Sequence, residues 1–436
     1  MTRPLPRGTA YTLSAALAAV LILVSTAVLL GGARQHGRSR GPVDETGQSP
    51  AGDWVGTWAA APAFAEPNTA HGLPGFSIRD VVHTSVGGSA ARVELSNLFG
   101  NRPLAIGDAS LAVAAGRGGT AAAAPGSMRR LTFGGQRSVT VQAGRSVLSD
   151  PVPLTVRPAT DLLVSLYSPV PSGPVTLHPH ARQISYLARG EHTLDGGGAA
   201  YTGRTSYWRY VTGVDVWTTQ AQGTLVAFGD SLTDGVTSTP GADHRWPDFL
   251  ADRLRREPGA PRYGVLNEGI SGNRVLLGNR GRTPQNNPSG LDRFDRDVLR
   301  RTGVRVVLVD LGINDILRMP RQLDAQRIVA GLRQLTARAH QRGLRVLGAT
   351  LMPFGGHWGV VADRQEPVRL AVNEQIRSGG VFDAVVDFDR ALRDPADPQR
   401  LLSAYDSGDH LHPNDAGYRV MARSVDLAAL RTGVAG

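Results

Sequence analysis

The sequence predicts an α/β protein: a parallel sheet covered by helices on both faces, preceded by an antiparallel β-sandwich. Two rhythms in the chain point to this. From Thr224 onward, short apolar strands alternate with helical segments, the pattern of a parallel sheet buried on both sides. Between Trp54 and Thr218, short alternating segments are broken by Gly and Pro and no 3.6-residue period persists, which implies antiparallel strands packed as a sandwich. The length of 436 residues accommodates two such domains and a tail. The expected division is 1–33 as a signal peptide or membrane anchor, 34–52 as a flexible linker, 53–220 as the sandwich and 221–436 as the α/β domain.

The first segment carries no charge from Gly8 to Ala33, with Arg3 and Arg7 before it. A spanning helix needs roughly 20 apolar residues, and a signal peptide shares the basic start, apolar middle and small residues such as Gly31-Gly32-Ala33. Both readings stay open, and both place the body outside the cytoplasm. Arg34 to Gly52 is rich in Gly, Ser and Arg, as linkers are. In the sandwich region, Arg92–Ser96 and Ser138–Val141 alternate inward and outward, and Asp161–Tyr167 is a richer apolar run. The Ala/Gly stretch 112–126 is expected as a loop. Trp54, Trp58, Trp208 and Trp217 fit either core packing or an aromatic face for sugars.

In the α/β region the expected strands are 225–228, 263–266, 304–311, 344–351 and 384–388. The expected helices are 246–257, 291–301, 325–342 with Gly343 as its C-cap, 368–376 and a last one from about Asn414. Reactive groups of such sheets gather at the carboxyl ends of the strands.

Composition removes several chemistries. There is no cysteine, which excludes disulfides, thiol nucleophiles and iron–sulfur clusters. The net charge is +10 and every Lys/Arg position is arginine. These arginines are dispersed, form no dense basic cluster and accompany no nucleic-acid motif, so no nucleic-acid partner is expected. No protein partner is predicted, and membrane contact is expected only through the N-terminal segment.

Four small polar clusters follow strands or lie in the final loop: Gly229-Asp230-Ser231-Leu232, Ser271-Gly272-Asn273, Gly312-Ile313-Asn314-Asp315 and Asp409-His410-Leu411-His412. Ester hydrolysis needs a nucleophile, a base for its proton, an orienting acid and donors for the oxyanion, and these clusters supply all four. The ordered set resembles the SGNH (GDSL) hydrolase family across Thr224–Leu430, which implies a flavodoxin-like three-layer α/β/α domain. The resemblance implies Ser231 as nucleophile, and Gly272 and Asn314 as oxyanion donors beside the N–H of Ser231. It also implies Asp409 and His412 as the acid and base. His410, adjacent and titratable, is the alternative base. Arg274 is a candidate to meet a substrate oxygen. His357, in Pro353–Trp358, is a candidate for substrate contact or loop packing.

The Gly-x-Ser-x-Gly elbow is absent around Ser231, which argues against an α/β-hydrolase lipase. The segments Trp54–Trp58, Val82–Ser85, Leu95–Asn97 and Gly213–Val216 are similar to the β-rich front half of secreted actinobacterial members, including arylesterase- and xylan-esterase-like proteins. That likeness implies short acyl esters, acetyl or carbohydrate-linked, with no metal or cofactor. The alternatives are a lipase or phospholipase for longer chains, acyl transfer to a sugar, and a glycan-binding surface protein with an inactive hydrolase half.

Overall fold

The computed structural model describes residues 52–278, 287–358 and 362–432. The expected anchor or signal (1–33) and nearly all of the expected linker (34–51) lie outside the described residues. Among the described residues, no helix is long and apolar enough to cross a membrane.

Beside a small three-stranded sheet that includes Thr176–His178 and a two-stranded one, two large antiparallel sheets build the front half. One contains the strands Asp53–Ala59, Val211–Thr218, Gly88–Ser96 and Val152–Val156, side by side in that order. The other runs Gly203–Thr205, Ser185–Arg189, Phe76–His83, Asp161–Ser168, Asp108–Val113 and Arg129–Arg130. Their inward residues share one core: Val93, Leu95, Val214 and Val216 from the first sheet bury with Ile78, Val82, Leu162 and Leu166 from the second. Successive side chains of a strand point to opposite faces, so alternation in the sequence becomes a buried layer. Trp54 packs edge-on against Trp217 at 5.7 Å and Trp58 against Trp208 at 4.9 Å, all four buried, which leaves no sugar platform on these rings. The stretch expected as a loop at 112–126 instead begins inside a strand that ends at Val113, and an Ala114–Ala123 bridge then closes the turn.

The second half is a five-stranded parallel sheet ordered Gly264–Gly269, Thr224–Gly229, Val304–Asp310, Arg345–Ala349, Ala384–Val386. In chain order this is 2-1-3-4-5, the flavodoxin-like arrangement. Leu225–Phe228 and Val306–Val309 are fully buried, as near-continuous apolar strands covered on both faces must be. The covering helices include Trp246–Arg256, Ala325–His340, Ala362–Arg377 and Asp415–Ser424. Gly343 adopts φ +67° just past the third-strand helix, as its expected capping role requires.

Two helices differ from expectation. The segment expected as one helix at 291–301 is an α-turn pair, Gly290–Phe294, continued by a π-helical turn Asp295–Leu299 around a buried Arg293–Asp297 ion pair of 3.0 Å. The helix expected at 368–376 begins at Ala362 and runs through Pro367, whose ring costs one backbone hydrogen bond but does not end it.

The two halves meet along the sheet's outer strand. Gly56 N–H donates to Thr224 Oγ1 at 3.0 Å, Val265 N–H to Ser85 Oγ at 2.9 Å, and Arg301 to Glu94 at 2.7 Å. The crossing is so close that a Cβ placed on Gly264 would lie 2.0 Å from the Gly56 carbonyl oxygen. Covering the edge strand Gly264–Gly269 this way gives its outward Val265 N–H a partner and shields the edge. Gly264→Val is therefore expected to destabilise the protein by about 1–3 kcal/mol through overpacking. Thermal denaturation would show it as a lowered Tm, whereas an unchanged Tm would mean that the halves do not press together here.

Candidate active site

Strand Thr224–Gly229 ends in a sharp turn in which Asp230 caps a short helix, Ser231–Asp234, by accepting from Leu232 N–H at 3.0 Å. Ser231 opens that helix, so its own N–H has no intrahelical acceptor. A Cβ on Gly229 would meet Thr233 Oγ1 at 2.1 Å, so the tight turn requires glycine. On the far side of the cleft, the loop before helix Asp415–Ser424 carries His412, the candidate base. His412 Nε2 lies 2.9 Å from Ser231 Oγ, and its Nδ1 lies 2.5 Å from Asp409 Oδ2. Asp409 Oδ1 accepts from the N–H groups of Leu411 and His412 at 3.0 and 2.7 Å. Partial burial pushes the Asp409 carboxyl up, but these bonds and His412 outweigh it and hold it well below its ordinary value. Asp409 is thus an anion fixed behind the imidazole. His410 turns the other way, at φ +63°, and pairs with Asp406 at 2.6 Å; it does not contact Ser231.

The candidate oxyanion donors come from two loops. Gly272, at φ +75°, has a backbone N–H without a hydrogen-bond partner among the described residues. Asn314 donates one amide hydrogen to Asp230 Oδ2 at 2.9 Å and lines the cleft, and its second amide hydrogen has no partner among the described residues. The Ser271–Arg274 loop is anchored at both ends. Asp315 accepts from Val275 and Leu276 N–H at 2.7 and 3.0 Å, and Asp234 accepts from Ser271 Oγ at 2.5 Å. Asp234 is itself held by His178 from the sandwich, 3.0 Å away, whose other ring nitrogen faces the Ala61 carbonyl at 2.8 Å. Burial raises the Asp234 carboxyl, yet His178 leads the contacts that bring it below its ordinary value.

These groups line a cleft of about 400 Å³ together with His180, Leu317, Arg318, His357 and Trp358. A Ser–His–Asp chain beside converging amide donors is equipped for acyl transfer. Residues 227–420 match the GDSL-like Lipase/Acylhydrolase family. This stretch is a GDSL-like hydrolase domain. Solved structures similar to the chain include the native aryl esterase of M. smegmatis (19% identity, 46% of this chain, 95% of that one, TM-score 0.36). Another is Est24, a carbohydrate acetylesterase from Sinorhizobium meliloti (17%, 48%, 99%, 0.36). No curated protein matches the sequence.

One candidate at the rim of the GDSL-like domain is placed elsewhere. Arg274, a candidate to meet a substrate oxygen, folds its guanidinium back onto carbonyls instead: Nε to Leu277 at 3.1 Å, with Gly278 at 2.9 Å and Met319 at 3.4 Å. It braces the oxyanion loop from behind. The cleft cation is Arg318 instead, whose Nε donates to Asn314 Oδ1 at 3.2 Å and whose guanidinium lies flat against Gly272. Arg318 follows Asn314 by four residues, a spacing that places them on one side of a turn. His357 lines the cleft, and its Nδ1 meets the Asp409 carbonyl at 2.8 Å, so it packs the rim loop against the final loop.

Two carboxyls lie buried under the nucleophile turn. Burial and mutual repulsion push Asp230 well up, and burial pushes Asp310 up to about 6 although Thr233 donates to it at 2.9 Å. A carboxyl whose folded pKa exceeds its ordinary 3.8 binds protons more tightly when folded. Its contribution to stability is present below about pH 4 and is lost as the pH rises through about 6. Asp310→Asn should therefore raise Tm at pH 8 and flatten the decline between pH 4 and 6; an unaltered profile would mean that Asp310 is not the titrating group. Arg318→Met should lower kcat about tenfold with little change in KM. That is less than the roughly hundred- to thousand-fold loss typical of a direct oxyanion donor. A change confined to KM would make Arg318 a binding residue only.

Proposed function

We propose that this protein is an exported serine esterase that cleaves short-chain acyl esters through an acyl-enzyme on Ser231. The observation that carries this reading is the unbroken chain from Asp409 through His412 to Ser231 Oγ. His412 Nε2, 2.9 Å from Ser231 Oγ, accepts the hydroxyl proton as the oxygen attacks the ester carbonyl. The tetrahedral oxyanion is met by the N–H groups of Ser231 and Gly272 and by the Asn314 amide. The imidazolium, steadied by Asp409, returns the proton to the departing alcohol, and the acyl group stays on Ser231. Water then repeats the sequence: His412 takes its proton, the acid leaves, and Ser231 regains its hydrogen.

Short acyl groups, acetyl among them, suit a cleft of about 400 Å³, near the lower end of ligand pockets. Trp358, 93% exposed at the rim, offers an aromatic face to the alcohol half of a substrate, whether an aryl or a sugar ring. Export rests on the uncharged run from Gly8 to Ala33 behind two arginines. The catalytic cycle draws on no metal or cofactor.

Rates on acetyl, butyryl and long-chain p-nitrophenyl esters and on acetylated xylan test the substrate class. The expected order is acetyl or butyryl above long chains, and a preference for long chains would favour the lipase reading. Ser231→Ala should lower kcat by about 10⁴-fold or more. Asp409→Asn should cost about 10⁴-fold, since the imidazole would lose its oriented tautomer. Retained activity in Ser231→Ala would remove the nucleophile from the account.

A further inference from the structure

Away from the catalytic cleft, one buried cluster is short of hydrogen-bond donors. His83 ends strand Phe76–His83, and Asp161 begins the adjacent antiparallel strand directly opposite it. Asp161 Oδ1 lies 2.7 Å from His83 Nδ1. Asp243, on the catalytic half's loop between Asp234 and Trp246, brings Oδ2 to 3.1 Å from the same nitrogen. A single ring N–H cannot serve two carboxylates well, and the deficit does not stop there. Asp161 is almost wholly buried, and its Oδ2 has no partner among the described residues. Neither has Oε1 of Gln183, a buried amide whose Nε2 donates to Asp243 Oδ1 at 2.6 Å. Unpartnered acceptors in a dry site are costly, and a cation is the ordinary remedy.

We propose that His83, Asp161 and Asp243 bind one divalent transition-metal cation that fastens the sandwich to the catalytic half. The three donor atoms all lie within 4.8 Å of one another. Ligands about 2.1 Å from a common ion are about 3 Å apart at the right angles of an octahedral shell and about 3.4 Å apart in a tetrahedral one, and the 2.7 and 3.1 Å separations fit the octahedral value. Asp161 Oδ2 and Gln183 Oε1 are buried acceptors without a partner among the described residues. One imidazole with two carboxylates suits Zn²⁺ or Mn²⁺ better than Ca²⁺, which prefers an all-oxygen shell. The ion would replace the proton on His83 Nδ1, because a ligating imidazole nitrogen must be bare. The role is structural: the ligands join two cross-strand neighbours of the sandwich to a loop that leads into helix Trp246–Arg256.

The test loads chelator-stripped full-length protein with ZnCl₂, MnCl₂ or CaCl₂, desalts it and measures metal per chain by atomic emission, alongside thermal denaturation. The expected result is about one equivalent of Zn²⁺ or Mn²⁺ retained and a rise in Tm of about 2–4 °C or more. Asp161→Asn and Asp243→Asn should each lose the ion and the shift. Asp243→Asn, at the more exposed position, is the variant expected to keep its fold by near-UV circular dichroism. Three outcomes overturn the proposal: wild type that retains no ion and shows no Tm shift, retention of Ca²⁺ alone, or undiminished retention in a folded Asp243→Asn.

Discussion

The contact on which the rest of the molecule depends is the 2.9 Å approach of His412 Nε2 to Ser231 Oγ, made across 181 residues of chain. A hydroxyl and an imidazole so far apart in sequence meet only if two rigid frames are in register. One frame is the buried strand Thr224–Gly229, which ends in a turn too tight for any Cβ at Gly229. The other is the loop Asp406–Asn414, pinned by its own side chains. Asp406 holds His410 and Gly408, Asp409 holds Leu411 and His412, and Asn414 both caps the final helix and donates to the Ala404 and Asp406 carbonyls. Precision at the reacting atoms is thus obtained from local hydrogen bonds on one side and sheet packing on the other.

The oxyanion loop extends this dependence into the sandwich. Asn287, which follows Ser271 in the chain, donates its side chain to the Ser271 carbonyl at 3.0 Å and its backbone N–H to Ala63 at 2.7 Å. With the His178–Asp234–Ser271 chain, the front half holds the segment that presents Gly272. His180, also from the front half, lines the cleft. The β-rich half is therefore part of the site's construction, and its separation from the GDSL-like domain would release the oxyanion loop.

The sheet was legible because buried parallel strands are short apolar runs and their helices are amphipathic. The site was legible because its four clusters each sit where a parallel sheet brings its strand ends. What escaped the sequence are features that depend on where a long side chain goes. Arg274 stands next to the oxyanion residues in the chain, yet its guanidinium folds back onto carbonyls. Arg318 stands one helical turn beyond Asn314 and reaches the cleft instead; the four-residue spacing was the available signal. His83, Asp161 and Asp243 belong to three separated segments, and only strand register with a long connection brings them together. The tryptophans of the front half could serve sugar or core in sequence, with core packing the favoured reading, and sheet packing places them in the core.

Acylation of Ser231 is read most plainly by mass spectrometry of protein quenched with acid during turnover of p-nitrophenyl acetate, followed by peptide mapping. One acetyl group is expected, confined to the peptide that carries Ser231 and increased when water attack is slowed at low pH. An acetyl group on another residue, or turnover with no covalent adduct on Ser231 under any quench, would contradict that acylation.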